Sequence, residues 1–136
     1  MTGQDRFLRL FLRIMGTASL LAVVAVVMPY AWMDAIHEWL GMGRLPSDPI
    51  VGYLARSTSA FYALLGGLFW VVSFDPQRHR PALQYLGVAI LVLGAALLAI
   101  DLLEGMPVFW SLCEGPLDMA FGAVILWLSR RAHSPT

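Results

Sequence analysis

The chain has 136 residues, of which 59% are hydrophobic and 13% charged, and its formal net charge is zero. Together with a mean hydropathy of +0.71, this composition excludes an ordinary soluble domain and predicts an integral membrane protein. The zero net charge argues against a nucleic-acid partner. The single cysteine, Cys113, excludes both an intramolecular disulfide and a Cys-x-x-Cys motif.

Four apolar stretches follow one another along the chain, at about 7–33, 50–74, 82–103 and 107–129. Each is long enough to cross about 30 Å of hydrocarbon at about 1.5 Å per helical residue. They predict an all-α fold, a four-helix transmembrane bundle in which residues 1–136 form one domain. The long connection at 34–49 contains a possible interfacial helix. A signal peptide is the alternative for the first stretch, but no small-x-small cleavage site follows it.

Seven of the nine basic residues flank the predicted spans on one side, which sets the orientation. They precede the first span, separate the second from the third, and follow the fourth: Arg6, Arg9, Arg13, Arg78, Arg80, Arg130 and Arg131. The positive-inside rule makes this side cytoplasmic, so both termini are predicted inside and the 34–49 loop outside. We therefore expect a multi-pass protein of a bacterial inner membrane.

Small residues four apart predict where the helices pack. Such ridges occur in three spans, at Ser59, Ala63 and Gly67, at Ala18 and Ala22, and at Ala95 and Ala99. Small side chains allow two helix backbones to approach closely within a membrane. The ridges are explained by packing within one chain or by association of two copies of it.

The last span contains two carboxylates, Glu114 and Asp118, around a Gly115-Pro116 step. A helix that began at Pro116 would cover only about 20 Å, which is too short for the bilayer. The helix is therefore predicted to begin near Pro107, with Pro116 as an internal proline that kinks it. Glu114 and Asp118, being four apart, then share one face within the outer half of the membrane.

Arg56 in the second span matches Glu114 in predicted depth, which suggests an ion pair between the two. Unpaired charges at mid-membrane are unfavourable by about 2.5 to 3.5 kcal/mol each, so these side chains should face inward. Acids outnumber the available cations, and at least one acid should be protonated, hydrated or in contact with a ligand. The predicted site comprises Arg56, Ser59, Asp101, Glu104, Glu114 and Asp118.

Three functions remain open for this group of residues. The first is a noncatalytic protein whose polar outer cavity binds a small or lipid-like ligand or a partner helix. The second is a proton- or cation-coupled transporter or channel that uses Glu114 or Asp118. The third is a lipid-modifying enzyme with a carboxylate as general acid or base. No cofactor motif is present, and the adjacent His37 and Glu38 lack the spacing of metal ligands on a helix.

Two segments resemble a group of small four-helix bacterial membrane proteins that share a Glu-Gly-Pro step in the last helix. The resemblance lies in residues 106–116 and in five residues of the second span, Tyr53, Leu54, Arg56, Ser59 and Tyr62. It implies a four-helix membrane fold and supports treating Arg56 and Glu114 as one unit. It implies no activity, because the group has none established.

Overall fold

The fold is all-α, as predicted. A computed structural model describes residues 3–131 and the side chains of residues 3–130, so the predicted inner residue Arg131 has its side chain outside this part. No strand occurs within residues 3–131. The helices are α1 (Gly3–Leu20), α2 (Val23–Val27), α3 (Tyr30–Trp39), α4 (Pro49–Phe74), α5 (Arg80–Glu104) and α6 (Val108–Arg131).

Four helical segments of this part are long and apolar enough to cross a membrane. They are Gly3–Val27, Pro49–Phe74, Arg80–Glu104 and Val108–Arg130. The chain divides into two compact units, unit 1 (Met1–Leu10 with Val72–Thr136) and unit 2 (Phe11–Val71). The arrangement of the four spans as one domain, with cytoplasmic termini, stays a prediction.

The first span ends earlier than residue 33, where the sequence placed its end. The helical segment stops at Val27, and Met28 and Pro29 are both extended, with ψ of 134° and 141°. Proline lacks the N–H that would continue the helix and forces the preceding residue into extended conformations. The chain then starts a new helix, α3, so the predicted interfacial helix is longer than expected and includes the last residues assigned to the span.

The connection after α3 folds back onto that helix through polar contacts. The Tyr30 hydroxyl donates to the carbonyl of Pro46, and the Asp34 carboxylate accepts the N–H of Leu45 at 2.8 Å. His37 Nδ1 lies 2.7 Å from the carbonyl oxygen of Gly43, whose φ of 79° favours glycine. Side chains of α3 thus hold the loop in place, and His37 is one of them.

In unit 1, α5 and α6 pack antiparallel through two pairs of glycines. A Cβ added to Gly94 would lie 2.6 Å from the carbonyl oxygen of Gly115, and one added to Gly122 would lie 2.5 Å from that of Gly87. Within each helix the two glycines are seven residues apart, so they occupy one stripe along the helix. The two backbones therefore touch along this stripe, an approach that only glycine permits.

In unit 2, α1 and α4 also meet at glycine, but the predicted ridges do not provide the contact. A Cβ on Gly66 would lie 2.6 Å from the carbonyl oxygen of Gly16, whereas a Cβ on Gly67 would have no neighbour within 4 Å. Ala95 and Ala99, the ridge predicted in the third span, are exposed. These residues therefore do not pack within the chain, because a spacing of four does not show which helix face meets a neighbour; association of two copies through them stays a prediction.

Polar and basic side chains gather at the end of unit 1 opposite the α5–α6 connection. Asp5 is buried and accepts a hydrogen bond from Gln77 Nε2 at 2.6 Å. Arg80 donates from Nη2 to the carbonyl oxygen of Arg130 at 3.5 Å. Arg80 and Arg130 thus lie together at this end of the helix pair.

Candidate functional site

The candidate site lies where α5 ends and α6 begins, which we call the junction end of the α5–α6 pair. Helix α6 begins at Val108, and the Pro107 carbonyl accepts the N–H groups of Trp110 at 2.9 Å and Ser111 at 3.2 Å. Pro116 lies inside the helix, as the length argument predicted. Glu114 and Asp118 are therefore about 9 and 15 Å along α6 from its start, and the kink at Pro116 stays a prediction.

Asp101 is placed at the junction end by the cap that terminates α5. Gly105 has a left-handed φ of 68°, and its N–H and that of Met106 both bond to the backbone oxygen of Asp101. Asp101 lies seven residues after Gly94, on the stripe of α5 that contacts α6. Its side chain is consequently only 5% exposed, and its Oδ2 atom is buried without a hydrogen-bond partner.

Glu114 faces Asp101 from the neighbouring helix. The indole Nε1 of Trp110, one turn earlier, donates to Glu114 Oε2 at 2.7 Å. Side chains lean toward the N-terminus of their own helix, so on antiparallel helices Asp101 and Glu114 lean toward each other. The carboxyl groups of Asp101 and Asp118 are both near enough to interact electrostatically with that of Glu114. We call Asp101, Glu114 and Asp118 the acidic cluster.

Arg56, the predicted partner of Glu114, belongs to unit 2 and has a different described contact. Its exposed guanidinium donates from Nη2 to the carbonyl oxygen of Met28 at 3.1 Å. Met28 is the C-terminal cap of α2, where a cation stabilises the unpaired carbonyls at the helix end. The ion pair between Arg56 and Glu114 stays a prediction.

Two predicted site residues remain, Glu104 and Ser59. Glu104 ends α5 and is exposed, and Ser59 is a half-buried residue of α4 in unit 2. An open groove of about 320 Å³ lies along α4, and Ser59 is not part of its lining. The groove is lined mainly by apolar surface, from Tyr53, Ser57, Ala60, Phe61 and Leu64.

The sequence analysis missed two residues at the junction end. Trp110 was not among the predicted site residues, yet its indole N–H donates to one oxygen of Glu114. The spacing of four between Trp110 and Glu114 was a signal for this contact. Ser111, 5% exposed, had no such signal, because its burial depends on the neighbouring helix.

The acidic cluster provides hydrogen-bond acceptors at the junction end. Within residues 3–131, no group of three His, Cys, Asp or Glu side chains has an arrangement that can hold a metal ion. Cys113, close to Glu114 in sequence, is exposed. Chemically, buried carboxyl oxygens suit a partner that carries N–H or O–H donors or a positive charge.

Comparison with protein-family models, curated proteins and solved structures finds no match for this chain. The helices and the site therefore define a class at most, an all-α chain with four apolar helices of membrane-spanning length and an acidic cluster between two of them.

Proposed function

We propose that the chain is a noncatalytic protein of the bacterial inner membrane that binds a small or lipid-like ligand, or a partner helix, at the acidic cluster. The observation that carries this proposal is the buried Asp101 Oδ2, which has no hydrogen-bond partner. An unsatisfied buried acceptor is unfavourable by about 1 to 3 kcal/mol, so retaining one needs a compensating role. A ligand that donates to Asp101 supplies that compensation.

The orientation of the arginines supports a site that opens toward the outer side of the membrane. Arg80 and Arg130 lie at the end of the α5–α6 pair opposite the junction end. If the positive-inside rule holds for this chain, the acidic cluster lies in the outer half of the bilayer. Membrane lipid is then the nearest source of a ligand, and a second copy of the chain is an alternative partner.

Native mass spectrometry tests the proposal on protein purified from bacterial membranes in mild detergent. We expect the wild-type protein to retain a bound species that Glu114→Gln and Asp101→Asn lose, because both changes weaken the acceptors of the cluster. Glu38→Gln, which alters an exposed carboxylate of α3, is the control and should retain it. The same bound species in all four proteins would contradict the proposal.

A proton- or cation-coupled transporter is the second candidate, favoured by the two carboxylates that share one face within α6. Glu114 and Asp118 are one turn apart and both half-buried. Transport by them would give proton or cation flux in proteoliposomes under a gradient, and that flux would be absent from Glu114→Gln. Such flux in the wild type would overturn the noncatalytic binding function in favour of transport.

The predicted ion pair is tested by a double-mutant cycle on Arg56→Ala and Glu114→Gln. Arg56 uses one donor for Met28, and Glu114 uses one oxygen for Trp110, so each side chain keeps further hydrogen-bonding capacity. We expect each single change to lower the free energy of unfolding in detergent, and the double change to lower it by less than the sum. Simple additivity would remove the pair from the proposed site.

A further inference from the structure

The acidic cluster also indicates the chemical class of its ligand, an inference that rests on the proposed function. Asp101 is only 5% exposed, and no donor forms a hydrogen bond with its Oδ2 atom. The side chain lies on the stripe of α5 that faces α6, where Glu114 is near enough to interact with its charge. The oxygen without a donor thus belongs to a buried side chain on the face of α5 that packs against α6.

The charge of the junction end favours a cation. The acidic cluster contributes the carboxyl groups of Asp101, Glu114 and Asp118, and Glu104, the last residue of α5, adds another. The described arginines of unit 1 lie in or near the basic segments at the opposite end, and Arg80 is 21 residues from Asp101 along α5, or about 32 Å. That distance is beyond the reach of its side chain. A ligand that enters the cluster from outside unit 1 therefore gains by carrying positive charge.

The neighbouring side chains add two further requirements. Asp101 Oδ2 needs a hydrogen-bond donor, which a primary ammonium has and a quaternary ammonium lacks. The ring of Trp110 stands beside Glu114, with Phe109 edge-on to it at 6.4 Å between centroids, and an aromatic face attracts a cation. Leu102, Leu103 and Val108 expose between 69% and 84% of their surface at this end, so the surroundings of the ligand are apolar.

We propose that the acidic cluster binds an amphipathic primary ammonium, whose N–H groups donate to Asp101 and whose apolar part lies along α5 and α6. The same chemistry has two sources, the headgroup of an aminophospholipid such as phosphatidylethanolamine and a free alkylamine. Both place a primary ammonium beside an apolar chain.

The experiment titrates n-octylammonium into the full chain in phosphatidylcholine nanodiscs, measured by calorimetry with empty nanodiscs subtracted. We expect saturable binding to the wild type and to Glu38→Gln, and binding at least tenfold weaker to Asp101→Asn. Octyltrimethylammonium, which has the same chain and charge but no N–H donor, should bind the wild type at least tenfold more weakly. This comparison of two ligands requires no variant and so stands even if Asp101→Asn fails to fold.

A second arm distinguishes the two sources. Nanodiscs in which phosphatidylethanolamine replaces half of the phosphatidylcholine should weaken octylammonium binding if the lipid headgroup occupies the cluster. Unchanged binding in them assigns the site to a free amine instead. Either result supports the primary ammonium as the ligand class.

Any of three results would overturn the inference. Equal affinity for octylammonium and octyltrimethylammonium would remove the requirement for an N–H donor, and unchanged binding to folded Asp101→Asn would remove Asp101 from the site. If octylammonium does not bind, but native mass spectrometry shows that the wild type retains a species that Glu114→Gln loses, the primary ammonium is wrong as the ligand class. The proposed binding function is then still supported. If octylammonium does not bind and the wild type retains no such species, the acidic cluster is not a binding site.

Discussion

Gly122→Ala is expected to weaken the α5–α6 pair strongly, because the added methyl meets backbone rather than a flexible side chain. The new Cβ would lie 2.5 Å from the carbonyl oxygen of Gly87 and 2.7 Å from the backbone nitrogen of Leu91. The two helices must separate to admit it, and overpacking of this kind lowers stability by about 1 to 3 kcal/mol. Unfolding of the purified protein in detergent, followed by circular dichroism, measures the effect.

Gly67→Ala is the matched control for this prediction. It makes the same chemical change inside a helix, but its Cβ would meet nothing within 4 Å. Alanine favours a helix over glycine by about 1 kcal/mol in water, so this variant should be neutral or more stable. Equal destabilisation by Gly67→Ala and Gly122→Ala would show that the glycine stripe is not the contact between α5 and α6.

Asp101→Leu is expected to raise stability and abolish ammonium binding. Leucine removes a buried oxygen that has no hydrogen-bond partner and places an apolar side chain on the face of α5 that packs against α6. Relief of an unsatisfied buried acceptor increases the free energy of unfolding by about 1 to 3 kcal/mol. The measurement is unfolding in detergent without aminophospholipid, together with n-octylammonium calorimetry in nanodiscs.

The opposite signs of these two effects separate a ligand site from a structural role. Replacing a carboxylate that holds the helices together would lower the stability of the protein. Replacing one that is kept for binding raises the stability of the protein and removes its ligand binding. A less stable Asp101→Leu would therefore assign Asp101 to the packing of unit 1. Glu38→Leu, at an exposed position of α3, controls for the general effect of replacing an acid by leucine.

Arithmetic on helix length predicted the start of the last helix from the sequence. A span that started at Pro116 would have been too short, and the helix does begin at Val108 with Pro116 inside it. The extent of the apolar stretch did not predict where the first helical segment ends. Apolar residues continue past Val27, but the helix ends there because Pro29 follows. Proline has no backbone N–H group to continue the helix, and hydropathy is not sensitive to that property.

The contacts of individual polar residues were much harder to predict. Depth alone suggested Glu114 as the partner of Arg56, and that pair stays a prediction. The described contact of the Arg56 guanidinium is the carbonyl at the end of α2, which depth did not indicate. That carbonyl became available only because Met28 and Pro29 are extended. The contact between Trp110 and Glu114 was easier to predict. The two residues are four apart, and this spacing brings side chains together on one turn of a helix.

The sequence by itself determined an all-α chain with four apolar helices, the position of Pro116 inside the last one, and the placement of Glu114 and Asp118 on one face. These properties depend on composition, length and local periodicity, which belong to single segments. Only the tertiary structure decided that Asp101 is the buried acid with an unpartnered oxygen. Its burial follows from the stripe of α5 that touches α6, and two glycine pairs on separate helices set that contact.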